Sequence, residues 1–241
     1  MEYSFSWKPE YLSSVIGVSS VTLGFITYWF LSINPSIRKA YFEKYKDNLE
    51  KAWVRYVVFQ KLTGALFMGF IPGLICLWLL PYSISEYGVN FNSINDSLLY
   101  IGLIGAFMLI VNFRVSRNPF NLSAYPQMRL AEWSKKRILI NAGSWAVYLF
   151  FYELMYRGLL LFTCYYSFGF WPALVINISF YMTTHIAKGF TETIGALPYG
   201  IALCFITIST GSILVAFVTH LILALSNDNY SIYHNPEMRF V

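Results

Sequence analysis

Long apolar blocks separated by short polar segments set the pattern of this chain. Seven blocks stand out: Tyr11–Ser32, Tyr56–Leu80, Ser97–Phe113, Asn141–Tyr165, Phe170–Ile186, Ile194–Ile208 and Gly211–Ser226. A helix needs ~20 apolar residues to cross the hydrocarbon core, and helices are the default spanning element because lipid offers free backbone groups no partner. The pattern predicts an all-α polytopic membrane bundle of about seven transmembrane helices. The last three blocks are short and joined by tight turns such as Ser209–Gly211, so they should pack as a compact bundle. The first block is too long for the core of a signal peptide and lacks a small-residue cleavage site, which predicts a retained span.

The polar segments add an orientation. Arg38, Lys39, Lys44, Lys46, Lys51 and Arg55 follow the first block, and Arg114, Arg117, Arg129, Lys135, Lys136 and Arg137 follow the third. The segment between, residues 81–96, has neither Lys nor Arg. The positive-inside rule then predicts a cytoplasmic C-terminus and an outside N-terminus, and the expected location is a bacterial inner membrane. The basic loops should rest on anionic lipid headgroups. The stretch Pro126–Ile140 reads as an amphipathic surface helix leading into the fourth span.

Composition agrees with this class. The chain is 57% hydrophobic and 12% charged over 241 residues, against about 25% charged in a soluble domain. Its mean hydropathy is +0.52 and its pI is about 9.0. The basic excess is no nucleic-acid signal, because it is confined to particular loops. Cys76, Cys164 and Cys204 lie inside apolar runs and give neither a disulfide framework nor metal-ligand spacing.

The candidate chemistry is the set of polar residues inside the apolar blocks, which are functional candidates by default. They are Glu153 and Arg157 in the fourth block, His185 at the end of the fifth, and His220 in the seventh. Glu153 and Arg157 are spaced i, i+4 and share a helix face. The pair can simply neutralise itself and lock the helix in place. It can instead provide a carboxylate that activates water with one His while the other stabilises an oxyanion. Glu, His and His could also bind a metal, but no spacing such as H-E-x-x-H favours zinc, so no cofactor is expected.

Three motifs together resemble the CAAX-protease and bacteriocin-processing (CPBP, or Abi) membrane endopeptidases, over Ala131 to Asn227. The family's E-E-x-x-x-R followed by G-L-L is similar to Tyr152-Glu153-Leu154-Met155-Tyr156-Arg157-Gly158-Leu159-Leu160. An aromatic residue ahead of a His is matched by Tyr181 and His185, and a small-residue turn leads to a helix bearing His220. The resemblance divides the chain into N-terminal helices with basic loops (1–130) and a protease-like core (131–241).

Two motif positions depart from the family. Its first glutamate, implied to activate water with the first histidine, is Tyr152 here, and a phenol of pKa near 10 is a poor base at neutral pH. Its final Asn, implied to hold the oxyanion, is Ala224, which has no donor. The retained Glu153 corresponds to the second glutamate, whose implied partner is Arg157. The resemblance therefore implies a catalytically degenerate endopeptidase-like protein whose cavity binds a membrane partner or client polypeptide. The alternative is an active endopeptidase using Glu153 with His185, and His220 as oxyanion donor, on prenylated or membrane-embedded peptides. Membrane lipids and a membrane protein or client are the expected partners, and nucleic acid is not. Measured from Asn141, Glu153 lies ~18 Å along its helix at 1.5 Å per residue, whereas His185 ends an inward-running span. These two are expected to meet only if the fourth span starts later or the helices tilt.

Overall fold

Each apolar block forms the centre of a helix in the computed structural model, which describes residues 5–241. Helix α1 spans Tyr11–Ser32. Helix α2 (Pro35–Lys44) starts where the Asn34 side chain accepts hydrogen bonds from the Ser36 and Ile37 amides. Helices α3 (Leu49–Gly64) and α4 (Ile71–Leu79) are one rod, joined by the π-helical segment Ala65–Phe70. Helix α5 covers Ile94–Val115 and the short α6 Pro119–Ala124. A second π-helical segment, Leu154–Leu160, joins α7 (Lys135–Glu153) to α8 (Leu161–Phe168). Helices α9 (Phe170–His185), α10 (Phe190–Thr210) and α11 (Leu214–His234) complete the bundle.

The all-α membrane class follows directly. Among the described residues, five rods are long and apolar enough to cross a membrane: Tyr11–Ser32, Leu49–Leu79, Ile94–Val115, Lys135–Phe168 and Glu192–Thr210. The other two predicted spans differ for physical reasons. Helix α9 has 16 residues, or ~24 Å at 1.5 Å per residue. Helix α11 has length enough, but it buries Thr219, His220, Asn227, Asp228 and Ser231 against its neighbours. That inward polar face lowers its hydropathy without exposing it to lipid. Helices α10 and α11 each run to 21 residues, past their apolar blocks.

Small residues set the closest approaches. Gly17 of α1 abuts Thr163 of α8, and Gly69 abuts the Phe151 carbonyl. Without a hydrophobic force between helices in lipid, such contacts supply the packing. One core mixes Val21, Met68 and Cys76 with Tyr152, Leu159 and Cys204, so α1 and α4 share a core with α7, α8, α9 and α10.

At the basic end, Pro126–Ile140 is not the expected amphipathic helix. Residues 126–131 are irregular, Glu132–Trp133 forms strand β1, and the helix begins only at Lys135. Strand β1 pairs in parallel with β2, Arg239–Phe240. Met128, Leu130 and Trp133 are buried in a small core with Val57 and Ile232. Their near-alternate spacing suits an extended chain, and tertiary burial overrides the apolar–basic pattern that a surface helix would use. Arg239 donates to Glu132 at 2.6 Å, and this bond holds the Glu132 carboxyl below the usual carboxylate range.

At the opposite end the connections differ in height. Gly169, at φ 77°, turns α8 straight into α9. The α10–α11 turn instead lies deeper. Its Ile213 amide donates to the Gly88 carbonyl at 2.9 Å, and Asn90 donates to the Gly211 carbonyl at 2.8 Å. Gly88 in turn rests on Phe162, well below Gly169. The connection of residues 80–93 therefore holds the start of α11 part-way down the α7–α8 rod.

Candidate functional site

These two turns decide which polar groups meet. Glu153 lies sixteen residues before Gly169 and His185 sixteen after it. The antiparallel hairpin therefore brings them to comparable depth, although the fourth helix starts at Lys135, earlier than Asn141. The sunken α10–α11 turn does the same for His220, only seven residues past Ile213.

Glu153, the last residue of α7, is fully buried, as is Arg157 in the π-helical segment that follows. π-Helical turns recur at functional sites because the extra residue re-aims side chains. Glu153 Oε1 accepts from His220 Nδ1 at 2.5 Å. Its Oε2 lies 3.3 Å from Arg157 Nη1. The guanidinium carbon also sits 4.2 Å from the centroid of the Tyr181 ring, a cation–π contact in a dry setting. One carboxylate thus faces two partners from different helices. Since a carboxylate only accepts, His220 Nδ1 carries the proton, and Nε2 is the ring nitrogen not committed to Glu153.

His185 joins through Tyr181. Its Nδ1 donates to the Tyr181 carbonyl at 2.8 Å, and the two rings lie 4.4 Å apart. Among the described residues, no three of His, Cys, Asp and Glu converge closely enough to hold a metal ion.

Tyr152 and Ala224 both line a cavity of about 190 Å³ that also reaches His220, Lys61, Tyr125 and Trp145. The Tyr152 ring stands edge-on to His220 at 5.5 Å and packs on Tyr148 and Tyr156 at 5.8 and 4.9 Å. Tyr199 approaches the other side of His220 at 6.1 Å and its hydroxyl bonds Thr219 at 2.8 Å. At the basic end, Tyr125 lies near Glu192, 3.4 Å from hydroxyl to carboxylate. Burial and then that carboxylate push its phenol upward, so it serves there only in its protonated form.

The buried charge in this wall is not among the residues singled out from the sequence. Lys61 lies inside the second apolar block, in "VVFQKLTGALF", and is buried. A lone Lys within a span was the available signal. Asn141, Trp145 and Asp228, which join it, could not be picked out, since nothing in their spacing places them together.

Fold and site define an all-α polytopic membrane protein with a carboxylate–imidazole–guanidinium cluster sealed in its bundle. Residues 128–226 match the family model described as type II CAAX prenyl endopeptidase, Rce1-like. The match supports a place for this region in the CPBP, or CAAX-protease, family. No curated protein and no solved structure matches the chain.

Proposed function

We propose that this CAAX-protease-like membrane protein is catalytically degenerate and uses its cavity to hold a membrane partner or client polypeptide. The observation that supports this is the pair of cavity walls beside His220. They are Tyr152, a phenol, and Ala224, a methyl group, where the resemblance implies a general base and an oxyanion donor. Glu153 does not replace the missing base freely, because its two oxygens already face His220 and Arg157.

A second reading has its own support. The 2.5 Å contact between Glu153 and His220 is the kind of carboxylate–imidazole dyad that general-base chemistry uses. The test is cleavage of a prenylated CAAX peptide by the purified chain in lipid nanodiscs. No turnover above the empty-disc rate is expected. Turnover that disappears in a folded Glu153→Gln protein would establish the active reading and refute ours.

The same reading orients the protein, with the basic loops and the β1–β2 pair at the cytoplasmic face of a bacterial inner membrane, resting on anionic headgroups. Single cysteines introduced at Lys46 and Asn92 should then label from inside and outside respectively. The native cysteines are buried and should stay silent. Labelling of both positions from one side would overturn the topology.

A further inference from the structure

We propose that the groove between α2 and α3 binds one anionic phospholipid, with Lys44 and Arg55 on its phosphate and the apolar flank of α3 along an acyl chain. This site rests on the reading above that the basic loops meet headgroups, and it names the lipid and the groove that holds it.

Helix α3 sets the order of the contacts. Arg55, Val58, Phe59 and Leu62 are spaced i, i+3, i+4 and i+7, which makes them one helical face, and all four line a groove of about 490 Å³. Seven residues at 1.5 Å each carry Leu62 ~10 Å along the rod from Arg55. The headgroup layer of a bilayer is about 5–8 Å thick on each side, so a guanidinium and a leucyl side chain this far apart straddle it. Leu62 is 49% exposed, and the exposed Leu66 and Phe70 continue the apolar track along the same membrane-crossing rod. Helix α2 buries no residue of its own and supplies the other wall through Tyr41 and Lys44. The Tyr41 ring packs on Phe59 at 5.4 Å and closes the floor.

The two cations of the groove are uncommitted. Neighbouring carboxylates are taken elsewhere: Glu43 pairs with Lys39 at 3.6 Å and Glu50 with Arg137 at 2.7 Å. Arg38 lies over the Phe42 and Trp53 rings instead. Among the described residues, no ion pair engages Lys44 or Arg55. Arg55 presents a planar fork of donors that matches a phosphate, and Lys44 adds a point charge.

The change from cationic to apolar along one face selects the occupant. A soluble phosphate would use Lys44 and Arg55 but leave Phe59 and Leu62 without a partner. A choline lipid brings a cation of its own, whose favoured partner is an aromatic face. The Tyr45 ring of this groove already has Lys44 and Lys51 over it, at 5.6 and 5.1 Å. A phosphodiester with an uncharged head and acyl chains, as in phosphatidylglycerol, meets both ends of the groove.

The test is native mass spectrometry of the full chain in detergent, titrated with dioleoyl phosphatidylglycerol or dioleoyl phosphatidylcholine. One phosphatidylglycerol should be held about tenfold more tightly than phosphatidylcholine, or about 1.4 kcal/mol. Lys44→Gln with Arg55→Gln should abolish that preference. Arg114→Gln with Arg117→Gln, which removes the same charge at the end of α5 and just after it, should keep it. All four side chains are exposed. Equal retention of the two lipids by the unaltered chain refutes the site and needs no variant to fold. An equal loss in both paired variants would show diffuse attraction to the basic surface and overturn the groove. Displacement of phosphatidylglycerol by equimolar inorganic phosphate would make the groove an ion site, and the proposal wrong. Labelling at Lys46 and Asn92 tests the orientation separately, so a failed site and a reversed topology give different results.

Discussion

Arg157→Met is expected to destabilise the detergent-solubilised protein by about 3–5 kcal/mol, the usual cost of leaving one member of a buried ion pair alone. Both side chains are fully buried and 3.3 Å apart. Glu153→Gln should cost at least as much, because it leaves the Arg157 cation buried with no carboxylate and only the face of Tyr181. The double variant should be more stable than the sum of the two losses predicts, since no uncompensated charge remains. Melting temperatures in one detergent, run as a double-mutant cycle, check this. A coupling within about 0.5 kcal/mol of zero would show that the pair is not an energetic unit.

The second large effect is a gain. Tyr152→Glu with Ala224→Asn restores the two residue types that the family resemblance implies at these positions. Both positions line one cavity with His220, and Ala224 is one turn beyond His220 on α11, so a carboxamide there shares its face. Tyr152→Glu alone should give weak cleavage of a prenylated CAAX peptide. The double variant should exceed it by about 10²–10³, the contribution of one oxyanion donor. The substitution also has a cost, because it removes a ring packed on Tyr148 and Tyr156 and sets a second carboxylate beside Glu153. A melting measurement therefore accompanies the assay. A folded double variant that stays inert would mean that more than these two side chains separates this cavity from a working one.

The helices and the identity of the buried cluster were readable from residue order because both rest on local chemistry. An apolar run of sufficient length has one low-energy state in lipid, and Glu153, Arg157, His185 and His220 stand out because charged or imidazole groups are costly there. Motif spacing carried the family resemblance for a similar reason, as Glu153 and Arg157 face each other across one helical turn. Pro126–Ile140 shows where local reading stops. Its basic and apolar residues fit a surface helix, yet the nonlocal pairing of β1 with β2 and the burial of Met128, Leu130 and Trp133 hold it extended.

Which partner each buried group takes is a matter of register between helices, and residue order does not encode it directly. That residues 80–93 lower the α10–α11 turn until His220 reaches Glu153 follows from contacts between segments far apart in the chain. Lys61, Asn141, Trp145 and Asp228 likewise span 168 positions of the chain and share no motif. A bilayer selects for apolar length one helix at a time. The depth at which two side chains meet depends on turns, π-helical segments and glycine contacts acting together, and those exist only once the helices have packed.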